Sequence, residues 1–235
     1  MIVTFEHQTS EAPNISTFHF KPERALHYTA GQFIELTLKH ANPDNRGERR
    51  WFTLCSSPNE KLISITTKFA KENGSSFKKA LKKLKPGDQL KISDPMGDFV
   101  LPKLIQTPLV FVAGGIGITP FKSILTWLAE TKEERPIKML VGVNNEDEIV
   151  FQDIITKANI HATLVVSEPS SAWGGEVGRL SSELILGLEE PSSDTLIYIS
   201  GPEPMVEHLE ADLKRAGIKK DQLVLDFFPN YSEKY

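Results

Sequence analysis

Five short segments of this chain carry residue types suited to a flat, phosphate-bearing ligand. The first is Arg50-Trp51-Phe52-Thr53-Leu54-Cys55-Ser56-Ser57-Pro58, at the end of a predicted strand. Residues alternate sides along a strand, so Arg50 and Phe52 share a face while Thr53 points to the other or into the bend. An arginine can fork onto a phosphate. An aromatic ring two positions on can cover a flat ring system, and a neighbouring hydroxyl can bond a ring nitrogen. The same run also reads as an ordinary strand with a surface arginine and a core phenylalanine. The second segment, Asn73-Gly74-Ser75-Ser76-Phe77, opens a helix. Free backbone N–H groups and the helix dipole favour an anion there, and the serines serve equally as plain helix caps.

The third segment, Ala113-Gly114-Gly115-Ile116-Gly117-Ile118-Thr119-Pro120, follows an apolar strand. Its glycines let backbone approach a ligand, Thr119 suits an N-cap and Pro120 the first helical position. Such a turn is the first crevice of a doubly wound sheet, although Pro120 stands where a three-glycine dinucleotide fingerprint needs its last glycine. A plain tight turn is the alternative. The fourth, Ser200-Gly201-Pro202-Glu203-Pro204-Met205, leads from a strand into a helix at the same sheet edge. The fifth, Asp226-Phe227-Phe228-Pro229-Asn230-Tyr231, could fold over a planar ligand or simply cover core.

Two kinds of element must position these segments. Up to about residue 100, six short runs rich in β-branched and aromatic residues are separated by turn formers such as Pro43-Asp44-Asn45 and Pro86-Gly87-Asp88. They predict a six-stranded antiparallel barrel, interrupted by one helix with Phe77, Ala80, Leu81 and Leu84 on its buried face. From about Thr107 apolar strands alternate with amphipathic helices, which predicts a doubly wound parallel sheet covered on both faces. The boundary falls near Lys103–Pro108, giving units 1–104 and 105–235.

Composition sets limits. The 235 residues, 40% hydrophobic and 25% charged, are those of a globular protein. No apolar run is long enough to span a membrane, and the first residues lack the basic and apolar pattern of a secretory signal, so cytoplasm is the expected location. The single cysteine, Cys55, excludes an internal disulfide and any cysteine-built iron–sulfur or zinc site in this sequence. A net charge of −4 gives no case for nucleic acid. Charge is uneven, with Lys68, Lys71, Lys78, Lys79, Lys82, Lys83 and Lys85 in one stretch.

The ordered set R-x-F-T-x-x-S, G-S-S, K-P-G-D, D-P-x-G-x-F, G-G-x-G-I-T-P and S-G-P-x-x-M resembles the ferredoxin–NADP(H) reductase superfamily, specifically its compact bacterial members without a fused iron–sulfur domain. The resemblance implies FAD on the barrel and NADH or NADPH on the second unit. It implies that Arg50 holds the FAD pyrophosphate, with Gly74, Ser75 and Ser76 completing the cradle. Phe52, where the family has tyrosine, would pack on the isoalloxazine, and Thr53 would bond its reactive nitrogen. Trp51, Thr66 and Lys68 join the expected cofactor-binding set. Gly115, Gly117, Thr119 and Pro120 would face the nicotinamide dinucleotide, with Gly201, Pro202 and Met205 flanking it. Phe228 or Tyr231 fits the aromatic that covers the flavin. Thr53, Ser200 and Phe228 are the expected catalytic residues, Ser200 standing where many relatives have cysteine.

Three further expectations follow. Glu168, in Ser167-Glu168-Pro169, stands where relatives that prefer NADPH often carry arginine; its carboxylate would repel a 2′-phosphate, which leans the donor towards NADH, unless it is only a solvated loop residue. The lysines of Lys78–Lys85 would attract an acidic electron carrier such as a ferredoxin or flavodoxin, unless they are only a solvated helix face. Besides an electron-transfer reductase with retained FAD, the sequence suits a reductase of diffusible flavin, or an electron-relay subunit of a larger complex.

Overall fold

The computed structural model describes residues 1–70, 74–188 and 192–228, the side chain of Phe228 excepted. Lys71, Asn73, the Phe228 side chain and Tyr231, all singled out above, lie outside the described residues.

The first sheet contains β1 (Ile2–Ala12), β2 (Ile15–Pro22), β3 (Phe33–Thr37), β4 (Arg49–Thr53), β5 (Ile63–Lys68) and β6 (Gln89–Ile92). Their order is β4-β3-β6-β1-β2-β5, and every pair is antiparallel. Alternation in β3 shows why it is a strand: Ile34 and Leu36 are buried, while Phe33, Glu35 and Thr37 turn outward. The sheet closes on itself. Beyond β4 the Cys55 N–H donates to the Ser64 carbonyl at 2.8 Å, tying one edge of the sheet to the other. Helix α1 (Ser76–Leu81) plugs this barrel with Phe77 and Leu81, both fully buried among Phe18, Phe20, Ile34 and Ile65.

The second sheet contains β7 (Leu109–Gly114), β8 (Ile137–Val143), β9 (His161–Val166), β10 (Glu176–Val177), β11 (Leu196–Pro202) and β12 (Leu223–Phe228). It is parallel throughout, in the order β10-β9-β8-β7-β11-β12. The two-residue edge strand β10 is not foreseen above, because it is too short to show a period. Helices α2 (Thr119–Thr131) and α3 (Gln152–Lys157) cover one face, packing on Phe111, Met139 and Tyr198. Helices α4 (Ser182–Leu188) and α5 (Glu203–Arg215) cover the other, over Val112, Leu140 and Ile199. Burial on both faces is why these strands read as unbroken apolar runs. The strand order reverses between β7 and β11, which opens a crevice at their carboxyl ends.

The two sheets are joined firmly. Ile15, Ala30 and Phe99 from the barrel side belong to the core under α2. The Ser123 hydroxyl donates to the Ser56 carbonyl at 2.5 Å, Lys122 Nζ to the Cys55 carbonyl at 3.0 Å and the Tyr198 hydroxyl to the Val100 carbonyl at 2.7 Å. Lys68 on β5 pairs with Glu148 at 2.5 Å. These contacts fix the carboxyl edge of the second sheet against β4. Among the described residues no helix is long and apolar enough to cross a membrane.

Candidate functional site

A cleft of about 670 Å³ lies where the two sheets meet, a volume typical of small-molecule and cofactor sites. Phe33, Trp51, Thr53, Ser75 and Lys78 line it from the barrel side; Ile116, Thr119, Leu225, Asp226 and Phe227 line it from the other.

Strand register sets its apolar end. Phe33 pairs with Thr53 and Glu35 with Trp51, so these four side chains leave the same face of the sheet. Trp51 is 58% exposed and its ring centroid lies 6.0 Å from that of Phe33. Thr53 is almost buried, yet its hydroxyl bonds none of the described residues. Every fully buried polar side-chain atom among them has a partner, so the Thr53 hydroxyl opens to the cleft. Phe52 pairs with Ile34 on the opposite face. It touches the cleft wall but is only 8% exposed, with its ring 5.9 Å from Phe77 in the barrel core. The aromatic surface offered to the cleft therefore comes from Trp51 more than from Phe52.

The other end is cationic. Arg50 leaves β4 on the Phe52 side, and its guanidinium lies 5.2 Å from the centre of the Phe77 ring. It donates to the carbonyls of Arg46 (2.7 Å), Gly47 (3.2 Å) and Arg49 (2.5 Å), and to Asp44 Oδ1 at 3.3 Å. Gly74, Ser75 and Lys78 lie alongside. The Ser75 hydroxyl caps α1 by accepting the Lys78 N–H at 3.2 Å. The Ser76 hydroxyl is taken by His40 at 3.0 Å and by the Asp44 N–H at 2.8 Å. It faces a second groove, also about 670 Å³, that shares Arg46, Gly74 and Ser75 with the cleft and continues past His40, Asn45, Lys79 and Lys83.

Lys78 does not belong to the exposed lysine face that the sequence suggested. Its Nζ turns inward to donate to the Lys68 carbonyl at 2.6 Å. Burial, with Arg46, Arg50 and Lys68 nearby, pulls its pKa down to about 7. Lys79, Lys82, Lys83 and Lys85 do stay exposed. Thr66 lines the cleft, but its hydroxyl is held inside the barrel by Thr17 at 2.8 Å and Cys55 at 3.1 Å. Lys68 is turned to Glu148.

The crevice between β7 and β11 forms the third part. Gly115 has φ +51°, and a Cβ there would meet nothing within 4 Å, so this glycine faces open space. A Cβ on Gly117 would lie 2.1 Å from the Ser200 carbonyl oxygen. Its missing side chain lets the turn after β7 press onto β11, a packing role. Thr119 donates its hydroxyl to the Ile116 carbonyl at 3.1 Å, and Pro120 sits in the first turn of α2. Gly201, Pro202 and Met205 stand beside Gly114, close enough that a Cβ on Gly114 would lie 2.3 Å from the Met205 sulfur. Glu168 is exposed just beyond β9, its N–H bonded to the Asn144 carbonyl at 2.7 Å.

One residue with no role assigned from sequence emerges here. Asp226, on β12, lines the cleft, and Ser200 Oγ donates to its Oδ2 at 3.3 Å. Burial pushes its pKa up to about 6, against the lowering effect of the Ser200 hydrogen bond. The available signal was a single carboxylate inside the apolar run Leu223–Phe228, since an acid in such a run must be paired or functional.

The donor set fits a flavin dinucleotide. An aromatic slot carries an open hydroxyl at one end, and arginine, lysine and a helix start stand at the other, with a further groove beyond them. The adjoining crevice, with its open Gly115, fits a second dinucleotide.

Comparison with known proteins agrees with that pairing. Residues 2–101 match the oxidoreductase FAD-binding domain and residues 111–211 the oxidoreductase NAD-binding domain. NADH oxidoreductase HCR of Escherichia coli is 26% identical over 91% of this chain and 64% of its own length. Flavohemoprotein A of Dictyostelium discoideum is 25% identical over 95% of this chain and 59% of its own. The chain thus spans about three fifths of the length of these curated relatives. The flavohem-like FAD/NAD binding domain of nitric oxide dioxygenase from Vibrio cholerae superposes with a TM-score of 0.81 at 22% identity, covering 97% of this chain and 98% of that one. A ferredoxin NADP+ reductase from Neisseria gonorrhoeae, with bound FAD and NADP, gives 0.80 at 18% identity, covering 97% and 98%. The chain thus belongs to the oxidoreductases that carry an FAD-binding domain followed by an NAD-binding domain, and it shares the fold of these two structures.

Proposed function

We propose that this chain is a reductase that oxidises NADH or NADPH, leaning to NADH, with FAD held in the cleft, and hands the electrons to a separate carrier protein. The observation that carries this reading is the shared cleft itself. Residues of β4, Ile116 and Thr119 from the turn and helix after β7, and the carboxyl end of β12 line one space. Bound FAD would supply hydride acceptance from the nicotinamide and stepwise electron release, chemistry that belongs to the cofactor.

The chain's part is to position and polarise. Residues 1–104 form the flavin unit in this reading and 105–235 the dinucleotide unit. Arg50, Gly74 and Ser75, with Lys78 beside them, would hold the diphosphate. The second groove beyond Arg46 would accommodate an adenosine, which favours FAD over a mononucleotide. Trp51 and Phe33 would bound the ring, with Phe52 behind it and the Thr53 hydroxyl in hydrogen-bond reach. Gly115, Thr119, Gly201, Pro202 and Met205 would receive the nicotinamide dinucleotide. Ser200 and Asp226 meet where the two cofactor sites adjoin, and Ser200 steadies the Asp226 carboxyl. Glu168, exposed beyond β9, would accept ribose hydroxyls and repel a 2′-phosphate. The relative named NADH oxidoreductase supports the same lean.

Exposed Lys79, Lys82, Lys83 and Lys85 suit an acidic carrier, by analogy with the ferredoxin reductase among the structural neighbours. A cytoplasmic location is part of this reading. One test is NADH-driven reduction of an artificial dye by the isolated chain. Robust turnover is expected; none, with FAD bound, would favour a relay subunit. A second reading, reduction of diffusible flavin, is favoured by one observation: Arg50 is already engaged by Asp44 and its own loop. A purified protein without yellow colour would select it.

A further inference from the structure

The loop between β3 and β4 brings an anion of its own into the cationic end of the cleft. Asp44 Oδ1 accepts from Arg50 at 3.3 Å, and Oδ2 accepts the Ser76 N–H at 2.9 Å. The Arg46 N–H adds a third bond to Oδ1 at 3.0 Å. In return the Asp44 N–H donates to the Ser76 hydroxyl at 2.8 Å, so loop and helix start are locked in both directions. Hydrogen bonds from the Ser76 and Arg46 amides, outweighing its partial desolvation, hold the carboxyl at about 2, and it stays ionised at any ordinary pH.

A carboxylate and a phosphate compete for the same donors. Arg50 NH1 already serves the carbonyls of residues 46, 47 and 49, and NH2 serves Asp44. Arg46 is itself paired with Asp44 Oδ2 at 3.4 Å, Lys68 and Lys78 stand near the two arginines, and Glu148 pairs with Lys68. We propose that Asp44 is an internal competitor for the phosphates of the flavin: its carboxylate must give up Arg50 before a flavin phosphate can take it, and this displacement sets how readily the flavin exchanges. The proposal rests on the reading of the cleft as a flavin site. It makes Asp44 a determinant of affinity specific to phosphorylated flavins, because riboflavin has nothing to gain from the freed guanidinium.

The test compares wild type, Asp44→Asn and Asp44→Ser, each confirmed folded by near-ultraviolet circular dichroism, in fluorescence titrations with FAD, FMN and riboflavin. Asn and Ser both keep an acceptor for the Ser76 N–H. The expected result is FAD and FMN binding about five- to tenfold tighter in both variants, chiefly from the charge-assisted bond freed on Arg50, with riboflavin unchanged. Equal or weaker FAD binding, or the same gain for riboflavin, would overturn the proposal while leaving the flavin site intact. Failure of all three proteins to bind any of the flavins would instead overturn the cleft reading and this inference with it.

Discussion

Ser200 and Asp226 stand side by side on neighbouring parallel strands, β11 and β12, and the serine hydroxyl donates to the aspartate carboxyl at 3.3 Å. The pair puts an acid with a pKa near 6 at the cleft, where the barrel and the second sheet meet.

That acid should make stability depend on pH. Its folded-state pKa lies above the unfolded value, so the native protein holds the proton more tightly. Stability is then fully present below about pH 4 and is lost as pH rises through 6. The loss is about 3 kcal/mol at one pKa unit per 1.36 kcal/mol. Asp226→Asn should therefore match wild type in urea denaturation at pH 4 and exceed it at pH 7.5. An equal difference at both pH values would mean that Asp226 is not desolvated.

Thr53→Ala should leave FAD bound, because the phosphate-end contacts are untouched. It should slow reduction of the bound flavin by NADH about tenfold, the value of one well-placed hydrogen bond. Stopped-flow absorbance at the flavin band measures this, and an unchanged rate would remove Thr53 from the mechanism.

The two glycines of the turn after β7 should respond differently. Gly117→Ala drives a methyl into the Ser200 carbonyl, which cannot move without disturbing β11. A loss of about 3 kcal/mol is expected. Gly115→Ala meets open space and adds only left-handed backbone strain, about 1 kcal/mol. The second change should instead raise KM for the dinucleotide. Chemical denaturation and steady-state kinetics on both variants separate the two effects.

Glu168 is exposed, so its influence on the donor should be modest. An ion interaction in water at about 4 Å amounts to roughly 1 kcal/mol. Glu168→Gln should then improve kcat/KM for NADPH relative to NADH about fivefold at low salt, with less change at high salt. A ratio that does not move would place the 2′ position elsewhere.

Much of this was legible in the sequence because it rests on local chemistry. The period of two in β3 and the apolar runs of β7 and β11 announce the two sheets. Pro120 announces the start of α2, although Ile118 rather than Thr119 stands at the N-cap and the helix begins at Thr119. Register and loop conformation were not legible. Strand alternation separates Phe52 from Trp51 but does not say which face is the barrel interior, and only the pairing of Phe52 with Ile34 decides it. Asp44 sits in a Pro-Asp-Asn turn and reads as turn chemistry, while its carboxylate in fact reaches Arg50 and Ser76. Lys78 belongs by sequence to a basic helix face, yet from the first turn of α1 it reaches back to the Lys68 carbonyl.

If one cleft brings a barrel-held FAD and a nicotinamide dinucleotide together, hydride must pass between them. Anaerobic titration of the purified protein with NADH and with NADPH, watching the flavin band, tests it most directly. A yellow protein whose band bleaches with about one equivalent of NADH per flavin is the expected result. A protein that retains FAD but is not bleached by an excess of either dinucleotide would contradict it.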